Sequence, residues 1–163
     1  MSQLPDLVQA LLDPRAYPEK PAAVELIQTQ ISYVFVAGEF VYKVKKPVDF
    51  GFLDYSTLEK RYYFCRKEIE LNRRLCPHAY LGVVPVTMKN GGFIIGGKGE
   101  AEEYAVHMRR LPQDAMMDAL LIQNRVTPDM IDKVAELVAA FHEKAATCDE
   151  INEIGGINAV IKN

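Results

Sequence analysis

The chain has 163 residues, 49% of them apolar and 25% charged, enough for one ordinary domain or two small packed lobes. A formal charge of −3 gives no overall field to draw nucleic acid, and no uncharged apolar run is long enough to span a membrane. Cys65, Cys76 and Cys148 are odd in number and contain no C-x-x-C pair, which sets aside a disulfide framework and a cysteine metal site.

The first twenty residues, MSQLPDLVQALLDPRAYPEK, carry acids and prolines where a signal peptide needs a basic start and an unbroken apolar stretch, so the cytoplasm is the expected compartment. Within them, Leu4 to Leu12 reads as a short helix stopped by Asp13-Pro14. From Val24 the pattern turns to strand: VELIQ, then ISYVFVA, then FVYKVKK, which Pro47 ends. Gly38-Glu39 between the last two runs predicts a two-residue hairpin turn of the II′ kind. VDFGFLDY is apolar and glycine-containing, and reads as a loop packed on the sheet.

Ser56-Thr57-Leu58-Glu59 has capping-box spacing, with Ser56 as the cap, and opens a helix over about 57–75 that stops before Pro77. Cys65 within it reads as core filler rather than a nucleophile. Two strands follow, Val83 to Met88 and Gly92 to Ile95, joined by the turn Lys89-Asn90-Gly91-Gly92; EYAVHMRRLP gives another. GGFIIGG and GGKGE lack the strand-to-helix setting or the spacing of a phosphate-binding loop, and read as hairpin ends.

The rest turns helical. DAMMDALLIQN is one helix, and Thr127 caps a second with Pro128 at its first position and an apolar stripe of Met130, Val134, Leu137, Val138 and Phe141. The tail breaks at Gly155-Gly156 and shows no clear element. Strands first and helices after, with one helix inserted among the strands, is an α+β arrangement whose small antiparallel sheet buries a face against that helix.

Lys43 is the first residue to demand a reason. With Gly38-Glu39 at the turn, Ala37 pairs with Phe40 and Val34 with Lys43, which puts Val34, Val36, Val41 and Lys43 on one face. Alone, an ammonium on that floor fits a snorkelling side chain. Glu68 alters the balance. Phe64, Glu68, Leu71 and Leu75 fall on one helical stripe, so Glu68 is expected on the buried face, whereas Glu70 joins Lys67, Arg73 and Arg74 on the polar one. A buried carboxylate needs a partner, and the hairpin lysine is the nearest in chain order. Kinases hold a strand lysine against nucleotide phosphates through such a helix carboxylate.

The run Tyr42-Lys43-Val44-Lys45-Lys46-Pro47-Val48-Asp49-Phe50-Gly51-Phe52-Leu53-Asp54 carries a family resemblance. So do Leu71-Asn72-Arg73-Arg74-Leu75, Tyr80-Leu81-Gly82-Val83-Val84-Pro85, Glu103-Tyr104-Ala105-Val106 and Met108-Arg109-Arg110-Leu111-Pro112. With them the chain resembles the N-terminal part of the aminoglycoside phosphotransferase-like family, specifically an uncharacterised bacterial branch in which a P-loop ATPase domain often follows. The resemblance implies a protein-kinase-like N-lobe over residues 1–111 and, over 112–163, the first helices of an incomplete C-lobe. It implies Lys43 as the phosphate-contacting lysine, Glu68 as its partner, Val36 and Val41 as the roof over adenine, and Met108, Arg109, Arg110 and Leu111 as a hinge meeting the adenine edge. Thr29 and Ser32 occupy the place of the loop over the phosphates, which here is not glycine-rich; an ordinary polar turn explains them equally well. His107 and His142 read as structural.

ATP and magnesium are the cofactors the resemblance implies for the whole enzyme, but the H-G-D-x-x-x-x-N run and the later magnesium-binding acid of that family do not occur before Asn163. Asp129 and Asp132, on a helix, fit neither role. The chain is therefore expected to hold a nucleotide without transferring phosphate by itself. From Lys43 to Arg74, nine basic and five acidic residues favour an anionic ligand. A competing reading is a non-catalytic regulatory or assembly module whose exposed apolar surface drives dimerisation or meets the missing lobe or P-loop domain. A third, weaker one is nucleic-acid binding through the helix arginines.

Overall fold

The computed structural model describes residues 4–157 and residue 161. The chain divides into two compact units, one ending at Pro112 and one beginning at Gln113.

The first unit is a mixed α+β body. A short helix α1 (Asp6–Ala10) precedes β1 (Val24–Gln28), β2 (Ser32–Ala37) and β3 (Phe40–Lys45). The long helix α2 (Leu58–Asn72) leads into β4 (Tyr80–Lys89), β5 (Gly92–Ile95) and β6 (Ala101–Arg109). The six strands form one sheet in the order β1-β2-β3-β6-β4-β5, every neighbouring pair antiparallel. The last strand thus lies in the middle, between β3 and β4.

Local chemistry sets the hairpins. Gly38 adopts φ +64° at the first position of a two-residue turn, and Ala37 faces Phe40 as the turn residues require. Asn90 and Gly91, at φ 51° and 78°, make the second two-residue turn, which pairs Lys89 with Gly92. Helix α2 begins one residue later than its capping-box spacing suggests. Thr57 is the cap, its hydroxyl accepting from the Lys60 N–H, while the Ser56 hydroxyl donates to Asp54.

The sheet is covered on both faces. Cys65 and Ile69 of α2 pack with Val106, Tyr80, Val83, Tyr104 and Met108 on one. The other is sealed by the N-terminal segment: Val8, Leu11, Ala16 and Tyr17 join Phe35, Tyr42, Val44, Val86 and Ile95 in the larger core. The Tyr17 hydroxyl donates to the Leu11 carbonyl at 2.6 Å, and its ring lies 5.1 Å from that of Tyr42.

Two expectations about packing fail. The buried line of α2 is Arg61, Cys65 and Ile69, while Leu71 and Leu75 are 52% and 45% exposed. The apolar segment VDFGFLDY does not lie on the sheet along its length. Tyr55 is buried, but Phe50 and Phe52 project outward and stack on each other at 6.1 Å, Phe52 being 89% exposed. An Asp49–Asp54 bridge and the Phe50 N–H to Leu53 carbonyl bond shape this loop.

The second unit holds α3 (Met117–Ile122), α4 (Pro128–Glu143) and α5 (Asp149–Gly155). Helix α3 is shorter than DAMMDALLIQN, its lead-in being a 3-10 turn at Gln113–Ala115. Thr127 and Pro128 open α4 as expected. Helix α5 was not legible in the tail; its C-cap is Gly156, where the sequence breaks, and 158–160, 162 and 163 lie outside the described residues. No residue of α3 or α4 is buried, and Met130, Val134, Leu137 and Val138 are exposed.

Candidate functional site

Strand β3 alternates its side chains between the two faces. Tyr42 and Val44 enter the larger core, so Lys43 and Lys45 both project towards the face that α2 covers. Val34 lies opposite Lys43, and Val36 opposite Val41, as the hairpin register predicts. On the other side of β3, Val41 pairs with Met108 and Lys43 with Val106. The expected roof residues therefore share the lysine's face.

Glu68 reaches this face from α2 and is bound by two lysines. Its Oε1 accepts from the Lys43 Nζ at 3.0 Å and its Oε2 from the Lys45 Nζ at 2.7 Å. The side chains differ sharply in exposure: Lys43 28%, Glu68 14% and Lys45 3%. Lys45 also sits 4.8 Å above the Tyr55 ring. Burial alone pushes the Glu68 carboxyl up, but Lys45 and then Lys43 outweigh it and hold it below the ordinary carboxylate range. Burial likewise draws Lys45 down, and Glu68 more than restores it. Two ammoniums against one carboxylate leave a surplus positive charge, and Lys43 carries the accessible share.

The Glu68 carboxylate should make stability acid-sensitive. Its folded pKa lies below the unfolded value of about 4.3, so its contribution is complete above that pH and is lost as pH falls through the folded pKa. In urea titrations between about pH 5 and 3, Glu68→Gln is expected to flatten the fall in stability relative to the parent chain. Parallel slopes would show that other groups carry the acid response.

Lys45 was not among the expected site residues, although the same period of two that places Lys43 on this face also places Lys45 there. A second buried ion pair was missed altogether. Arg61 Nε donates to Glu103 Oε2 at 2.7 Å, and its Nη1 reaches the carbonyls of Tyr55 and Ser56 at 3.0 and 3.3 Å. Burial holds Glu103 above the ordinary carboxylate range, against the pull of the Tyr104 N–H and of Arg61. This pair ties the first turns of α2 to β6.

The remaining expected site residues fall as follows. The Thr29 hydroxyl accepts from the Ser32 N–H at 3.0 Å and so closes the β1–β2 turn, and Lys46 braces that turn by donating to the Thr29 carbonyl at 2.7 Å. Ser32 faces Lys45 across the ladder, and its Oγ is buried with no partner among the described residues. Met108 packs in the α2-side cluster. The Arg109 N–H is bound to the Ala79 carbonyl and the Arg110 N–H to the Glu39 carbonyl, both at 2.8 Å, so neither can meet an adenine edge without giving up that bond. Arg110 and Leu111 are exposed.

His107 stacks on Tyr42 at 4.6 Å with rings nearly parallel, but its Nε2 is buried without a partner among the described residues, so it is packed rather than satisfied. Burial lowers its pKa. His142 is exposed beside Phe141. Burial pushes the Cys65 thiol up to about 12, which fits core filler. A cavity of about 1130 Å³ lies elsewhere, among Asp13, Tyr17, Thr87, Phe93 and Gly97, and contains none of the expected site residues. No group of three or more His, Cys, Asp or Glu among the described residues is placed to hold a metal ion. No helix among the described residues is long and apolar enough to cross a membrane.

The chain is 30% identical over 139 residues to the uncharacterized protein Rv2004c of Mycobacterium tuberculosis and, to the same extent, to the uncharacterized protein Mb2027c of Mycobacterium bovis. The similarity takes in 85% of this chain but 26% of each relative, so the chain spans about a quarter of their length. No family model matches the chain, and no solved structure matches it.

Proposed function

We propose that this chain is the ATP-binding part of a kinase-like phosphotransferase, with no phosphate transfer of its own. The observation that carries the reading is the cluster on one face of the sheet: a strand lysine bound to a carboxylate of the helix that follows, with an accessible surplus cation. Kinases use that pair to hold the phosphates of ATP. Val36 and Val41 extend the same face as an apolar roof. The sheet, with its inserted helix between β3 and β4, supplies the kind of scaffold a kinase N-lobe needs. Magnesium and the transferring groups belong, on this reading, to residues outside this chain.

A melting experiment tests it. ATP at about a hundredfold over its Kd should stabilise the chain by about 2.7 kcal/mol, and Lys43→Ala should abolish that shift. Millimolar ATP without effect on the parent chain would overturn the reading, as would turnover of ATP onto any acceptor by this chain alone.

A second reading has one observation behind it. The apolar stripe of α4, with Met130, Val134, Leu137 and Val138 exposed, favours a module that acts by assembly. An ATP-insensitive chain that sediments as a dimer would support it.

A further inference from the structure

The Lys–Glu pair that kinases use is a single contact, and helix position is controlled by making and breaking it. Here the carboxylate has two partners, one on each oxygen, and they are not equivalent. Lys45 is almost wholly enclosed, with Glu68 on its ammonium and the Tyr55 ring beneath it. Lys43 keeps over a quarter of its side-chain surface open. An anion arriving from solvent can therefore reach Lys43 and cannot reach Lys45 without unpacking the sheet face.

The charges point the same way. If an incoming phosphate draws Lys43 away from Glu68, the carboxylate is still neutralised by Lys45 and does not become an isolated buried charge. With Lys43 alone, one ammonium would have to serve the anion and Glu68 together, and the tie of α2 to β3 would weaken.

We propose that Lys45 is a positioning residue that anchors Glu68, and through it α2, independently of Lys43, so that Lys43 is released to contact the phosphates of a nucleotide without the helix moving. The anchoring stands on the two contacts and their burial; the role of Lys43 rests on the ATP-binding reading above.

Hydrogen exchange on α2 amides separates the two lysines. Without ligand, Lys43→Met is expected to leave α2 exchange within about threefold of the parent chain, and Lys45→Met to speed it by about tenfold. Equal exchange in the two variants, or faster exchange in Lys43→Met, would overturn the anchoring. Should Lys45→Met not fold, Glu68→Gln takes its place: it is expected to exceed Lys43→Met in α2 exchange, and equality again overturns the proposal. ATP supplies the readout that a merely structural lysine would not move. Millimolar ATP is expected to leave α2 exchange slow in the parent chain and to speed it in Lys45→Met, where phosphate takes Lys43 from Glu68. ATP slowing α2 in both chains would overturn the proposal. A parent chain that shows no ATP-induced melting shift would defeat the nucleotide reading, while the ligand-free comparison would still decide the anchoring.

Discussion

Replacing Arg61 by alanine is expected to destabilise the first unit by about 3–5 kcal/mol, because it strands Glu103 as a buried carboxylate. The two side chains are 11% and 8% exposed, and the Nε–Oε2 contact is 2.7 Å. What remains to Glu103 is the Tyr104 N–H at 2.9 Å, and the carbonyls of Tyr55 and Ser56 lose their donor as well. The loss should depend on pH. Burial already raises Glu103, and without Arg61 its folded pKa rises further above the unfolded value, so the variant regains stability as falling pH protonates it. Urea unfolding at about pH 7 and pH 5 should therefore give a smaller difference between variant and parent at the lower pH. Removing both charges, as Arg61→Met with Glu103→Leu, should cost less than Arg61→Ala alone. A single-variant loss under about 1 kcal/mol would place this pair with exposed ion pairs and refute its anchoring of α2.

Leu11→Ala is the second large effect, at about 2–5 kcal/mol. Leu11 is fully buried although it lies just past the end of α1, in a stretch with little regular structure. It packs in the larger core with Val8, Tyr17, Phe35 and Tyr42, so truncation opens a cavity under the sheet rather than trimming a loose terminus. The expected result is a lower urea midpoint with an unchanged slope. Ile27→Ala, at a residue 48% exposed on β1, should cost much less. Similar losses at the two sites would mean that the N-terminal segment does not seal the sheet.

These two residues also mark where reading the sequence ran out. Hairpin register was legible because it is local: Gly38 fixes the turn, and the period of two then places Val34, Val36, Val41 and Lys43 together. Glu68 was reached for a reason that only half held. Counting apolar residues along the expected helix of about 57–75 selects Phe64, Leu71 and Leu75, yet Leu71 and Leu75 face solvent and Leu75 lies beyond the end of α2 at Asn72. The line that is buried includes an arginine, which becomes tolerable only because Glu103 arrives 42 residues later to meet it. No local pattern announces such a partner. The covering of the second sheet face by Leu11 and Tyr17 is equally non-local. In VDFGFLDY the apolar content suggests burial along the loop, whereas Phe50 and Phe52 stay exposed and only Tyr55 is buried.

The place of β6 in the sheet has a bearing on how the chain is made. On a ribosome, β1 to β3 and then β4 with β5 emerge as separate antiparallel pieces, each closed by its own short turn. Until Ala101–Arg109 is synthesised, β3 and β4 each present an open edge, and the floor that Val106 provides beneath Cys65 and Ile69 is absent. Until that strand arrives, both edges are open to non-native pairing. In the folded chain β6 pairs with both β3 and β4 and so joins the two halves, with Lys43, Lys45 and Glu68 on the finished surface.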